Sequence, residues 1–161
     1  MANKPDGIIT LSLLDRLTDE DPKRSEEVPL SRSRSLAALK VAVRRDLEWL
    51  LNTRRAERAL PPNVARSVFC YGLPEQSSGS EDRSQVFQEL ARRMETVISI
   101  FEPRLAGVKV TLSPHQDATI RRVDLIIEGL LRIDPSPEHV SFDTTLELTN
   151  GEYHVKGEAG A

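Results

Sequence analysis

One proline fixes the plan of this chain. Upstream of Pro103, the residues Val86, Leu90, Met94, Val97, Ile98 and Phe101 recur at the three- and four-residue spacing of a single helical stripe. Pro103 ends that helix, because it has no N–H to continue the ladder and its ring disfavours the α region for Glu102. Downstream, Val108, Val110 and Leu112 alternate with Lys109 and Thr111, as in a half-buried strand. The chain is therefore helical before this point and strand-rich after it. Glu102 falls at a helix C-terminus, where the macrodipole makes an anion unwelcome unless a cation lies close. Arg104 is the nearest candidate, although another part of the chain could supply one. Glu102, Pro103 and Arg104 together read as either a structural clamp or a docking point.

The same periodicities place the other elements. Leu36, Leu39, Val43, Leu47 and Leu50 form a second helical stripe, with Ser35 as its expected N-cap. Trp49 lies off that stripe, so it either widens the buried face, the reading we favour, or meets a partner. Pro61 and Pro62 break the chain, and the apolar run from Ser67 to Pro74 predicts a buried turn. Ser80, followed by Glu81 and Asp82, predicts the start of the central helix. Val123, Leu125, Ile127, Leu131 and Ile133 share one face, and Val140, Phe142, Thr144, Leu146 and Leu148 alternate with polar residues. Asn150 and Gly151 predict a tight type I′ hairpin that returns Tyr153 and Val155 alongside.

Helices followed by strands give an α+β fold, with N-terminal helices packed on a small, mainly antiparallel C-terminal sheet that has a free edge. A 161-residue chain that is 39% hydrophobic can bury one modest core and suits one domain. Its expected span is 36–156, preceded by a flexible segment 1–35 and followed by a frayed tail 157–161. In the first segment Leu11, Leu13, Leu14 and Leu17 form a leucine patch that either docks on a partner or caps the chain's own core.

Charge and chemistry narrow the function. A net charge of -3 argues against general nucleic-acid binding. The single cysteine, Cys70, cannot form an internal disulfide and has no histidine at a spacing that assembles a nucleophilic dyad. His115, His139 and His154 lack ligand spacing, so no metal site is expected, and nothing calls for a cofactor. No run approaches the ~20 apolar residues of a membrane span, which points to a cytoplasmic protein.

Several short words then occur in a recognisable order: Leu13-Leu14-Asp15-Arg16-Leu17, the stretch Asp46 to Arg54 containing Glu48-Trp49-Leu50-Leu51-Asn52, Tyr71-Gly72-Leu73-Pro74, Phe101-Glu102-Pro103-Arg104-Leu105, and Phe142-Asp143-Thr144. With these the chain resembles the contractile-tail baseplate wedge or sheath-initiator family. That family includes the TssE subunits of type VI secretion systems and was once labelled lysozyme-like. The resemblance implies a non-enzymatic role in a cytoplasmic baseplate docked at an inner-membrane complex. The implied partners are the wedge subunits TssF and TssG, with TssK nearby, and the sheath subunits TssB and TssC. It also implies that Glu102, Pro103 and Arg104 dock on the wedge, and that a sheet edge near Phe142, Thr144, Thr145 and Leu146 receives sheath strands. On this reading Arg104→Ala should abolish docking and leave the isolated fold largely intact. The competing expectation is a glycan hydrolase acting on peptidoglycan with Glu102 as acid, which would need a second carboxylate across the scissile bond.

Overall fold

The computed structural model describes residues 17, 32–55, 61, 64–74, 83–113 and 121–157. Two helices, α1 (Arg32–Asn52) and α2 (Arg83–Phe101), precede an antiparallel sheet of β3 (Leu105–Leu112), β4 (Arg122–Leu131), β5 (Glu138–Glu147) and β6 (Tyr153–Val155) in the order β3-β4-β5-β6. Between the helices, the two-residue strands β1 (Arg54–Arg55) and β2 (Leu73–Pro74) pair in parallel. The α+β expectation is met.

Both helical stripes face the sheet. Leu39, Val43, Leu47, Leu50 and Leu51 of α1 and Leu90, Met94, Val97 and Ile98 of α2 enclose one core with Val123, Leu125, Ile127, Val140, Phe142, Tyr153 and Val155. The strands alternate as their sequences require, and every second residue of β5 from Val140 to Leu146 is buried. Thr144 is one of them, and its hydroxyl has no hydrogen-bond partner.

Four local expectations are corrected. Helix α1 begins at Arg32, so Ser35 is an interior helical residue, fully buried, and not the N-cap. Trp49 is 52% exposed and lies under the guanidinium of Arg45, 5.0 Å from the ring centroid; it does not widen the core. The turn 67–74 is only half buried: Cys70, Gly72, Leu73 and Pro74 are inside, while Val68 and Phe69 of a short 3-10 helix (Val68–Cys70) face solvent. The β5–β6 hairpin is wider than a two-residue turn. Glu147 N–H donates to Glu152 O, and Gly151 is the sole positive-φ residue in the loop, whereas a type I′ turn needs two in succession. Leu148 accordingly falls in the loop and not on the strand. The leucines 11, 13 and 14, Ser80 and its acidic followers lie outside the described residues; Leu17 is exposed.

Among the described glycines, Gly72 combines a positive φ with a close approach to another stretch of backbone. Its φ is +99°, and a Cβ there would sit 2.3 Å from the carbonyl oxygen of Thr53. That close approach lets Leu73 N–H reach Thr53 O at 2.9 Å, seating β2 against the end of α1.

Candidate functional site

The end of α2 is brought against the middle of α1. Glu102 N–H still donates to Ile98 O at 2.8 Å, so Glu102 completes the last helical turn, and Leu105 N–H returns to Glu102 O at 3.1 Å as the chain rounds Pro103. Arg104 O then accepts from Arg132 N–H at 2.8 Å, which locks the start of β3 beside the end of β4. The turn is thus held by backbone bonds on both sides, and the side chains of Glu102 and Arg104 project from a fixed frame.

Glu102 is 4% exposed, and both its oxygens face Arg104. Arg104 Nε donates to Oε1 at 2.6 Å, the Arg104 backbone N–H to the same oxygen at 3.3 Å, and Nη2 to Oε2. Nη2 also donates to Asp46 Oδ2 of α1 at 2.6 Å, and Asp46 Oδ1 accepts from Arg45 at 3.0 and 3.1 Å. The expected cation is therefore Arg104, and it joins α1 to the end of α2 through two carboxylates. Its pKa rises above an already high value, chiefly through the hydrogen bond to Glu102 and against the opposing effect of burial. The guanidinium stays charged at any accessible pH.

Around this ion cluster lies a concavity of about 380 Å³ walled by Leu50, Tyr71, Phe101 and Pro103 as well as the charged groups. The Tyr71 and Phe101 rings meet edge-on with centroids 5.4 Å apart. Burial pushes the Tyr71 phenol pKa up, and the carboxylates of Asp46 and Glu102 push it further. Pro103 is exposed at the rim, whereas Arg104 is partly covered.

This geometry alters one expectation. With Glu102 buried and dependent on Arg104, truncating the arginine leaves an unpaired carboxylate inside the fold, so Arg104→Ala is not neutral for the isolated domain. The residues expected to dock, Glu102 and Arg104, are thus the ones that form the clamp. As for acid chemistry, both Glu102 oxygens accept hydrogen bonds from a permanent cation, and the nearby carboxylate, Asp46, is tied to that same cation. Among the described residues, no group of three or more His, Cys, Asp and Glu could hold a metal ion.

The second set of expected residues sits on β5. Phe142, Thr144 and Leu146 point into the core, and Thr145 donates its hydroxyl to Asp124 Oδ1 of β4 at 2.9 Å. β5 is an interior strand: Thr144, Thr145 and Leu146 pair with β4 on one side and with Val155, His154 and Tyr153 of β6 on the other. At Thr144, Thr145 and Leu146 the expected edge is therefore already occupied by the chain's own β6, whereas Phe142 pairs with Ile127 of β4 and lies beyond the β6 ladder.

Comparison with known proteins is decisive at the level of family. The model of the baseplate wedge protein gp25 family matches residues 37–136, more than half of the chain and including most of α1, all of α2, the clamp and β3 to β4. The chain belongs to the gp25 baseplate wedge family. Its role is accordingly structural, within the baseplate of a contractile injection system and in contact with other baseplate and tail proteins. No curated protein matches the chain significantly. Among the described residues no helix is long and apolar enough to cross a membrane. Two features of this gp25-family chain escaped sequence reasoning: Asp46 as the second acceptor for Arg104, and the aromatic walls of the concavity. The word Asp46 to Arg54 carries Asp46 and Leu50, but nothing local reveals a partner 58 residues away.

Proposed function

We propose that this chain is the TssE-type subunit of a type VI secretion baseplate, a non-enzymatic connector that joins wedge subunits TssF and TssG, with TssK nearby, to the first TssB–TssC ring of the sheath. It works in the cytoplasm, in a baseplate docked at the inner-membrane complex. The observation that carries the reading is the Glu102–Pro103–Arg104 turn. A partly buried ion cluster braces the helix end, and Pro103 and the apolar walls beside it offer a preformed surface to a wedge subunit. Rigid presentation lowers the ordering cost of association. Load is then transmitted through the Arg104 clamp into α1 and α2 together.

The wedge contact can be tested without unfolding the domain. Pro103→Ala removes the exposed rim and spares the clamp; Arg104→Lys keeps the charge and loses the forked geometry. Both variants, checked for a retained thermal transition, should pull down TssF–TssG about tenfold less well than wild type, the scale expected for a residue contributing ~1.4 kcal/mol at an interface. Undiminished binding by both would remove the docking role and leave Glu102 and Arg104 as a clamp alone.

A further inference from the structure

Helix α1 carries a second stripe on the side turned away from the core. Arg34, Ala37, Val41, Arg45 and Trp49 recur at the three- and four-residue spacing of one helical face. That face is opposite the buried row of Leu39, Val43, Leu47 and Leu50. Val41 is 58% exposed, and Ala37 and Trp49 are exposed with it, so the outward row is apolar surface without a partner among the described residues.

The charge on this helix is as one-sided as its outward row. Arg32, Arg34, Lys40, Arg44 and Arg45 all precede its first acid, Asp46. A helix N-terminus favours anions, and the first turn of α1 supplies none. Lys40 is drawn to Glu138 of β5 and Arg44 to Val155 of β6, while Glu48 at the margin faces Arg44 and His154. Arg45 lies over Trp49 and bonds to Asp46. Among the described residues Arg34 meets no carboxylate. The outward face is thus apolar and positive in a chain whose net charge is -3.

The same chain carries the matching surface. Leu13, Leu14 and Leu17 fall on one helical face by their spacing, and Leu17, the described residue of this segment, has helical backbone and is 80% exposed. Asp19, Glu20 and Asp21 follow, and then Pro22. Apolar first and acidic afterwards is the complement of α1 read backwards, from Trp49 to its basic start. The lengths agree as well: residues 8–21 as a helix span about 20 Å, and Arg34 to Trp49 spans about 22 Å. Residues 22–31 in between reach up to about 36 Å, enough to double back. A run this short is unstable as an isolated helix and gains order only by packing.

We infer that the outward face of α1 is the seat of the chain's own segment 8–21, folded back antiparallel to α1. Asp19, Glu20 and Asp21 meet Arg34 and the N-terminus of α1, the leucines lie on Val41, and Ile8 and Ile9 reach Trp49. In this structure Leu17 and Val41 are both open to solvent, so the contact is one the chain can close and not one already made. Closure also abuts the ion cluster, because Arg45 stacks on Trp49 and binds the Asp46 carboxylate that holds Arg104. The inference is independent of the wedge and sheath assignments.

Trp49 is the chain's single tryptophan, so its fluorescence reads the contact in the full chain. A closed population of about 80% lowers acrylamide quenching about fivefold relative to Leu13→Ser/Leu14→Ser/Leu17→Ser, in which the ring stays open. Val41→Ser should be quenched as readily as that variant, and salt at ~1 M, where the Debye length is about 3 Å, should weaken the shielding of wild type. Arg34→Glu should open the contact, and adding Asp19→Arg and Glu20→Arg to it should close it again, a rescue that separates docking from loss of folding. Wild type quenched as readily as the leucine variant, or a charge swap that rescues nothing, would overturn the inference. Shielding that disappears on dilution would assign the seat to the segment of a second copy, and shielding that appears only when TssF–TssG is added would assign it to a wedge subunit; either result overturns it as well.

Discussion

Among the described residues, Arg104 is the one side chain that donates to Glu102, so the consequence of replacing it with alanine can be sized from the structure. Three side-chain hydrogen bonds disappear, two to Glu102 and one to Asp46. The Glu102 side chain is only 5% exposed and keeps its charge burden, whereas Asp46 at 25% can turn to water. Breaking a buried pair from one side costs about 3–5 kcal/mol. Because Arg104 itself is 26% exposed and the concavity admits solvent, the lower end, about 3 kcal/mol, applies. With a urea slope of roughly 2 kcal/mol/M, the midpoint should fall by about 1.5 M. Removing both partners, as in Glu102→Leu with Arg104→Met, should recover most of that loss, since a fully apolar replacement leaves no stranded charge. A midpoint for Arg104→Ala within about 0.25 M of wild type, on the same slope, would refute the argument and return Arg104 to a purely docking role.

Other positions give sharper yes-or-no outcomes. Gly72→Ala forces a positive φ and a 2.3 Å clash with the Thr53 carbonyl, so it should destabilise by about 3 kcal/mol or prevent folding, seen in thermal unfolding. Asn52→Ala strands both backbone groups of Tyr153 and should cost about 2 kcal/mol in urea titration. Thr144→Val removes a buried hydroxyl without a partner and should stabilise the domain by about 1 kcal/mol in the same assay. Tyr71 has a folded-state pKa raised by burial and by two carboxylates, so the folded chain holds its proton more tightly than the unfolded one. Its contribution to stability is complete below the ordinary tyrosine pKa and is lost as pH rises from there through the raised value. Tyr71→Phe should therefore flatten the alkaline fall in stability, measured as thermal midpoint against pH.

Much of the fold was legible because local and global signals agree. The stripe from Leu90 to Phe101 and the alternation from Val140 to Leu146 each match one period, and the turn at Pro103 has a covalent cause. Arg104 as the cation for Glu102 was legible for the same reason, being two residues away. What escaped the sequence is what depends on distant chain meeting: Asp46 at Arg104, and Asn52 at Tyr153, 101 residues on. Periodicity also says which residues face inward but not which strand lies outermost. Phe142 and Thr144 were correctly inward-facing, yet only the pairing of β6 with Thr144 to Leu146 shows that the strand is interior there. Trp49, Val68 and Phe69 mislead in the opposite sense, since apolar character predicts burial and these three are exposed.

The central claim is that one small domain holds wedge and sheath at once, and the direct measurement is co-assembly. Tagged chain mixed with TssF–TssG and TssB–TssC should elute as a single complex containing all components, and the same sample should leave peptidoglycan intact. Failure to retain either partner set, or peptidoglycan turnover that vanishes in Glu102→Gln, would contradict the account.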